Sequence, residues 1–289
     1  MTNQRTLIFV GAHPDDETFG LGGTLAKYAL EGAKVVYACA TRGEVGAADP
    51  EHMQGFATVA DMRWTELTNA AKELGLAEVI HLGYRDSGMP GSPDNAHPEA
   101  QVAAPLEEVT ARVVKVLRAV KPQVVITFDP IGGYRHPDHI ATHTATVKAF
   151  HAAGDPVQFP DLGPAYQPQK LYYMVFPRGF LRLAVKLMPL FGVNPRKFGR
   201  NKDVDVASLA EVDFPVHARI RIEGESARRK ERATACHKSQ LPSGPPSRGM
   251  MGWIIRTMGG REMYMRAYPE VKAGEVVKET DLFEGVKLV

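Results

Sequence analysis

The 289-residue sequence predicts an α/β fold: a Rossmann-like, mostly parallel sheet with helices on both faces, plus a smaller C-terminal α+β extension. Three observations carry that prediction. Thr6 to Gly11, Ala33 to Ala40 and Val124 to Phe128 are short apolar runs without polar alternation, the pattern of strands buried on both faces of a sheet. Longer stretches with apolar residues at helical spacing separate them. The runs also end in polar or ionisable side chains, at His13, Thr41-Arg42 and Asp129, and a parallel sheet gathers such ends on one edge.

The first strand stays extended to His13, because Pro14 disfavours helical geometry in the residue before it. From Thr18, the spacing of Leu21, Leu25, Tyr28 and Ala29 predicts a helix, with Gly22 and Gly23 allowing close approach to the sheet. Thr58 to Leu74 reads as a helix stopped by Gly75, with Ala60, Trp64, Leu67 and Ala71 on one face. Glu78 to Leu82 is a short strand running into a Pro/Gly/Asn-rich loop. Leu106 to Val120 is a helix, Val124 to Phe128 a strand, and a further helix runs from the His136 region to about Ala152.

Beyond Pro160 the pattern thins. Lys170 to Phe176 and the end of Phe214 to Ile222 have strand character, and Glu225 to Cys236 reads as a charged surface helix. Phe180 to Leu190 is an apolar helix with a basic stripe of Arg178, Arg182 and Lys186, suited to a lid, an oligomer contact or a membrane surface; Pro189 soon ends it, which argues against the membrane. Ser243 to Met251 is a Gly/Pro/Ser loop. The expected division is a catalytic core over residues 1–160 and an extension over 161–289 that completes the sheet and the substrate pocket, within one structural domain.

Composition excludes several classes. A hydrophobic share of 44% and a charged share of 24% are those of an ordinary globular protein, and a net charge of +2 is too small to argue for nucleic acid. Two cysteines make neither a disulfide framework nor a thiolate metal cluster. With neither a signal-peptide pattern nor an apolar run near the ~20 residues that cross a bilayer, the cytoplasm is the expected compartment.

The chemistry sits in two motifs. Ala12-His13-Pro14-Asp15-Asp16-Glu17 places an imidazole and three carboxylates at the tip of a buried strand. His136-Pro137-Asp138-His139 follows the fourth strand, with Pro137 suited to the first turn of a helix and His136 and His139 facing the same way at i and i+3. A catalytic metal site needs about three His, Asp or Glu ligands and one open position. His13 and Asp16 are near enough to chelate one ion, and one histidine of the second motif can complete the set while the other is left for acid–base work. Either motif by itself has a plainer origin: His-Pro-Asp as a capped turn, Asp15-Asp16-Glu17 as first-turn acids favoured by the helix dipole. Their co-occurrence favours the metal. His139 and His143 at i and i+4 form a competing pair.

These motifs resemble those of the zinc-dependent de-N-acetylases of the LmbE-like (PIG-L) family. The resemblance extends through Thr41-Arg42-Gly43-Glu44, Arg85-Asp86-Ser87-Gly88-Met89 and His237-Lys238-Ser239-Gln240, and the Arg85 segment is similar to that of the mycothiol-pathway deacetylase and conjugate amidase. It implies a Rossmann-like fold and hydrolysis of an acetamide on an N-acetylglucosamine-containing substrate. It also implies one Zn²⁺, or Fe²⁺, held by His13, Asp16 and His139. By the same resemblance Asp15 is the general base, His136 the partner of the tetrahedral intermediate, Asp138 the residue that orients His136, and Tyr134 a donor to the oxyanion. A carboxylate at Asp138 beside His136 is also expected to keep that ring cationic.

Arg42, Glu44, Asp86 and His237 are the candidates for holding the substrate, each with a structural ion pair or helix cap as its alternative. Arg135 stands where glycine is more usual before His-Pro-Asp-His. The expected partner is a small amino-sugar molecule, with no nucleic acid and with self-association open. The nearest rival is an amidase of thiol-sugar conjugates using the same residues. A phosphoesterase would need more carboxylate ligands. A non-catalytic nucleotide-binding module would need a Gly-x-Gly-x-x-Gly turn, where this chain instead puts Asp15 and Asp16.

Overall fold

A computed structural model describes residues 4–175, 178–197, 205, 207, 212–241 and 260–288. The expected loop over Ser243 to Met251 lies outside them.

Strand β1 (Thr6–Gly11) is buried along its whole length, which is why its sequence shows no alternation. It lies between β2 (Lys34–Cys39) and β4 (Val124–Thr127), parallel to both. β3 (Glu78–His81) adds to β2 and β5 (Lys170–Val175) to β4, again parallel. β7 (Arg261–Tyr268) then pairs antiparallel with β5, and β6 (Ala218–Arg221) antiparallel with β7. The sheet order is β3-β2-β1-β4-β5-β7-β6, so one sheet takes strands from both sides of residue 160.

Alternate residues of β1 feed two cores. Leu7 and Phe9 pack with α2 (Gly22–Leu30), α3 (Val59–Leu74) and α8 (Gly224–Cys236) through Leu25, Leu67 and Ala233. Ile8 and Val10 pack with α4 (Leu106–Val120) and α6 (Pro137–Ala152) through Val113, Leu117 and Ala149. Helices therefore cover both faces, as the sequence predicts. Helix α3 begins at Thr58, whose hydroxyl accepts from Asp61 N at 3.1 Å, and stops at Gly75 with φ 80°.

Two expectations need correction. The helix after β1 is broken into α1 (Asp16–Phe19) and α2 at Leu21, whose φ of −145° and ψ of 20° leave the helical region; beside it, a Cβ at Gly20 would lie 2.6 Å from Met174 Cε. Helix α8 is no mere surface helix: it packs on α2 and α3 with Ala233 fully buried. The apolar basic helix is α7 (Arg178–Leu187), with Leu183 53% and the following Leu190 77% exposed. No described helix is long and apolar enough to cross a membrane.

Candidate metal and catalytic centre

At the tip of β1, side chains satisfy the backbone that the strand leaves behind. Asp16 Oδ2 accepts from the amides of Ala12 at 3.0 Å and His13 at 2.7 Å. Thr41 donates to the Ala12 carbonyl at 2.9 Å and Tyr37 to the His13 carbonyl at 2.6 Å. His13 is thereby fixed and 4% exposed. Its Nε2 lies 3.1 Å from Asp138 Oδ2 and 3.5 Å from Asp86 Oδ1. Carboxylates only accept, so Nε2 carries a hydrogen, and a metal ion at Nδ1 would take the place of the proton there. Burial works to lower the His13 pKa, but Asp86 and Asp138 outweigh it and hold the ring well above its ordinary value.

The second arm leaves β4 through Phe128 and Asp129. Asp129 Oδ1 accepts from the amides of Ile131 and Gly133, both at 3.0 Å, folding a tight loop that contains the single turn α5 (Gly132–Arg135). Gly132 has φ 65°, and a Cβ there would sit 2.9 Å from His139 Cβ. Arg135 also has φ 65°, the left-handed region in which glycine is favoured. His136 is the N-cap of α6: its Nδ1 accepts from Asp138 N at 3.2 Å, with Pro137 in the first turn. His139, three residues on, stacks on Phe128 at 3.9 Å between ring centres.

Because β1 and β4 are neighbours, the two motifs meet. His13 Nδ1 lies 3.2 Å from His139 Nε2, His139 Nε2 lies 3.4 Å from Asp16 Oδ1, and Asp16 Oδ2 lies 3.8 Å from His13 Nδ1. In a four-coordinate site with ligands at 2.0–2.1 Å, neighbouring donor atoms stand about 3.3–3.4 Å apart. Two imidazole nitrogens and a carboxylate at this spacing fit a divalent metal ion, and Asp138 on the far nitrogen of His13 is the outer carboxylate that a ligating histidine usually has. Nitrogens of His13, His136 and His139 also all fall within 4.8 Å of one another.

Asp15 lies beside this set with φ 125° and ψ −24°. Its carboxylate pairs with Arg63 at 3.0 Å, and Arg63 also donates to the Pro14 carbonyl at 2.6 Å. Burial pushes the Asp15 carboxyl up to about 6, against the pull of Arg63. Arg63, 5% exposed, has no place in the sequence-based site. A signal existed: it shares the stripe Arg63, Leu67, Ala70, Leu74 on α3, where a charge among core residues demands a partner. The Tyr134 ring stands edge-on to His139 at 5.0 Å and His136 at 5.8 Å. Burial, with Asp16 and Asp15 nearby, holds its phenol well above the ordinary value, so it stays a donor.

Other expected roles change. Asp138 does not orient His136 through its carboxylate, which is spent on His13, on Ser87 N at 2.9 Å and on the Ser87 hydroxyl. Nor is His136 held cationic: burial first, then His13 and His139, push it well below its ordinary value, and a helix N-terminus also opposes a cation. His237 does not line the pocket; it is fully buried behind α1, 2.8 Å from Glu17. Glu44 ties two loops by accepting from Asp86 N at 2.9 Å and Arg42 N at 3.3 Å. Arg42 lies over the Trp64 ring and 3.4 Å from Asp61, while Asp86, held low despite burial by the adjacent His13, faces the centre. His143 bonds the Phe128 carbonyl at 2.8 Å rather than joining His139 in a pair.

Comparison with known proteins agrees with this architecture. The family model described as PIG-L, GlcNAc-PI de-N-acetylase, matches residues 8–150. The 1D-myo-inositol 2-acetamido-2-deoxy-alpha-D-glucopyranoside deacetylase of Geodermatophilus obscurus is 38% identical over 296 residues, covering 99% of each chain. The protein of the same name from Thermobifida fusca is 35% identical, covering 97% of this chain and 99% of its own. Among solved structures, the N,N'-diacetylchitobiose deacetylase of Pyrococcus horikoshii shares the fold, with a TM-score of 0.60 and 20% identity over 91% of this chain and 83% of that one. With a relative this similar along its whole length, and with both motifs joined at one sheet edge, the chain belongs to the PIG-L de-N-acetylase family.

Proposed function

We propose that this protein is a metal-dependent hydrolase that removes the acetyl group from an N-acetylglucosaminyl inositol, the substrate class named for its full-length relatives. The observation that carries the reading is the set of His13, His139 and Asp16 donor atoms, 3.2 to 3.8 Å apart, with the ionisable Asp15 beside it.

His13 Nδ1, His139 Nε2 and Asp16 would hold the ion, Zn²⁺ or Fe²⁺. When bound, it supplies a Lewis acid that polarises the amide carbonyl and brings the pKa of water toward ~7. The ionised Asp15 takes a proton from water as the water oxygen bonds to the carbonyl carbon. Arg63 keeps that carboxylate aimed and ionised. His136 uses Nδ1 on the Asp138 amide, which leaves the hydrogen on Nε2, so the neutral ring donates to the developing oxyanion as Tyr134 does. The C–N bond then breaks, the proton passes from Asp15 to the nitrogen, and acetic acid and the amine leave, the acid giving its remaining proton to the amine or to solvent. Asp86, which faces the centre, is the candidate to accept from a sugar hydroxyl, with Arg42 and Glu44 on the loop beside it.

Primary-amine release from N-acetylglucosaminyl inositol, other N-acetylglucosaminides and thiol-sugar conjugates tests this, with zinc-loaded wild type beside Asp15→Ala. Release from the inositol glycoside by wild type alone is expected. Release only from thiol-sugar conjugates would make the protein an amidase, and release from none would remove the acyl-sugar reading.

A further inference from the structure

The mechanism leaves unused a buried ion pair, Glu17 with His237, that touches the general base through the backbone. Asp15 holds φ 125°, where residues with a side chain rarely go, so neighbouring groups must impose it. Its amide donates to Glu17 Oε2 at 2.9 Å. The other oxygen of Glu17 accepts from Thr18 Oγ1 at 2.5 Å and meets His237 Nε2 at 2.8 Å. Glu17 and His237 are both wholly inaccessible to solvent. A carboxylate so buried is tolerated only when paired, and its partner comes from 220 residues further along the chain.

The pair belongs to a closed circuit. Two residues after His237, Ser239 donates its amide and hydroxyl to Glu66 at 2.8 and 2.6 Å. Glu66 lies on α3 one turn from Arg63, and Arg63 returns to Asp15 Oδ2 and the Pro14 carbonyl. Asp15 is thus gripped by its carboxylate from α3 and by its amide from α1. Glu17 can accept that amide only while its own orientation is fixed. Among the described residues His237 Nδ1 has no partner, so Glu17 is the one polar anchor of this ring.

We propose that His237, acting through Glu17, is a positioning residue that holds the Asp15 peptide in its left-handed conformation and so aims the general base. This rests on the reading of Asp15 as base, and it moves His237 from the substrate to the support of the reacting group. His237→Met removes the donor at similar volume, whereas His237→Gln returns an amide N–H near the place of Nε2.

The test uses the full chain loaded with zinc. His237→Met is expected to lower kcat about 10- to 100-fold, the scale of a misaimed catalytic group, with KM and zinc stoichiometry unchanged, and His237→Gln to recover most of the loss. Amide hydrogen exchange at Asp15, followed by NMR, is expected to quicken at least about tenfold in His237→Met and to stay near wild type in His237→Gln, since it reports the bond to Glu17. A wild-type kcat in His237→Met, a loss confined to KM or zinc, or unchanged exchange at Asp15 would each overturn the proposal. Should His237→Met not fold, His237→Asn against His237→Gln carries the same comparison, because asparagine is too short to reach Glu17. If the wild type turns over no acetylated sugar, the functional reading fails while the exchange measurement still decides the positioning role.

Discussion

The carboxylate of Asp138 lies 3.1 Å from Nε2 of His13, whereas His136, two residues before Asp138, touches only its amide. On the proposed ligand assignment the acid therefore supports a metal ligand rather than His136. Asp138→Ala is expected to weaken zinc binding about 10- to 100-fold, the usual cost of removing an outer carboxylate from a ligating histidine. Competition with a chelating dye measures it. Intact zinc affinity with a changed pH profile would instead return Asp138 to His136.

The ligand assignment separates three neighbours. His139→Ala and Asp16→Ala are expected to lose stoichiometric zinc, and His136→Ala to keep it while losing turnover. Metal analysis after gel filtration reads the outcome directly. Zinc retained in Asp16→Ala and lost in His136→Ala would favour the three-histidine arrangement, whose nitrogens also lie within 4.8 Å.

Asp15 links activity to stability with opposite signs. Its carboxyl is raised to about 6 in the folded metal-free protein, against an ordinary value of 3.8. Between those values the folded state binds more protons than the unfolded one, so this group makes stability fall as pH rises from about 4 to 6. Asp15→Asn, neutral at every pH, is expected to raise the Tm of the metal-free protein at pH 7 and to leave it unchanged at pH 4. The same variant should lose about 10²- to 10⁴-fold in turnover with zinc bound. Thermal melts at the two pH values check the first part; an equal shift at both would detach it from ionisation.

Arg135 carries a left-handed backbone at φ 65° on the loop into α6. That conformation costs a residue with a Cβ roughly 1 kcal/mol, which glycine avoids. Arg135→Gly is expected to stabilise the protein by up to about 1 kcal/mol and Arg135→Val to destabilise it, as urea unfolding will show. A loss of stability in Arg135→Gly would mean that the guanidinium contributes more than its backbone costs.

Arg118, 2% exposed on α4, donates to the carbonyls of Ala152, Ala153, Asp155, Gln158, Phe159 and Gly163. Its removal would leave several buried acceptors unmet, so Arg118→Ala is expected to cost about 3 kcal/mol or more. Arg118→Lys should recover little, because an ammonium cannot spread over a fork of six acceptors. Urea midpoints compare the two, and a mild loss in Arg118→Lys would make charge, not planarity, the operative feature.

What the sequence determined by itself was local. Unbroken apolar runs announced β1, β2 and β4, Thr58 and Gly75 bracketed α3, and the two His-Pro-Asp motifs marked strand ends where ligands gather. These were legible because burial and capping leave their mark within a few residues of chain. Tertiary structure alone decided who partners whom: Asp138 with His13, Arg63 with Asp15, and His237 with Glu17 rather than with a substrate. Those pairs join residues 48 to 220 positions apart. The sheet order that puts β1 between β2 and β4, with α3 and α8 packed together on one face, brings each pair within hydrogen-bond reach. Spacing along a chain records which face a side chain takes, but a hydrogen bond or a metal ligand is chosen by proximity in space, which only the packing of distant elements sets.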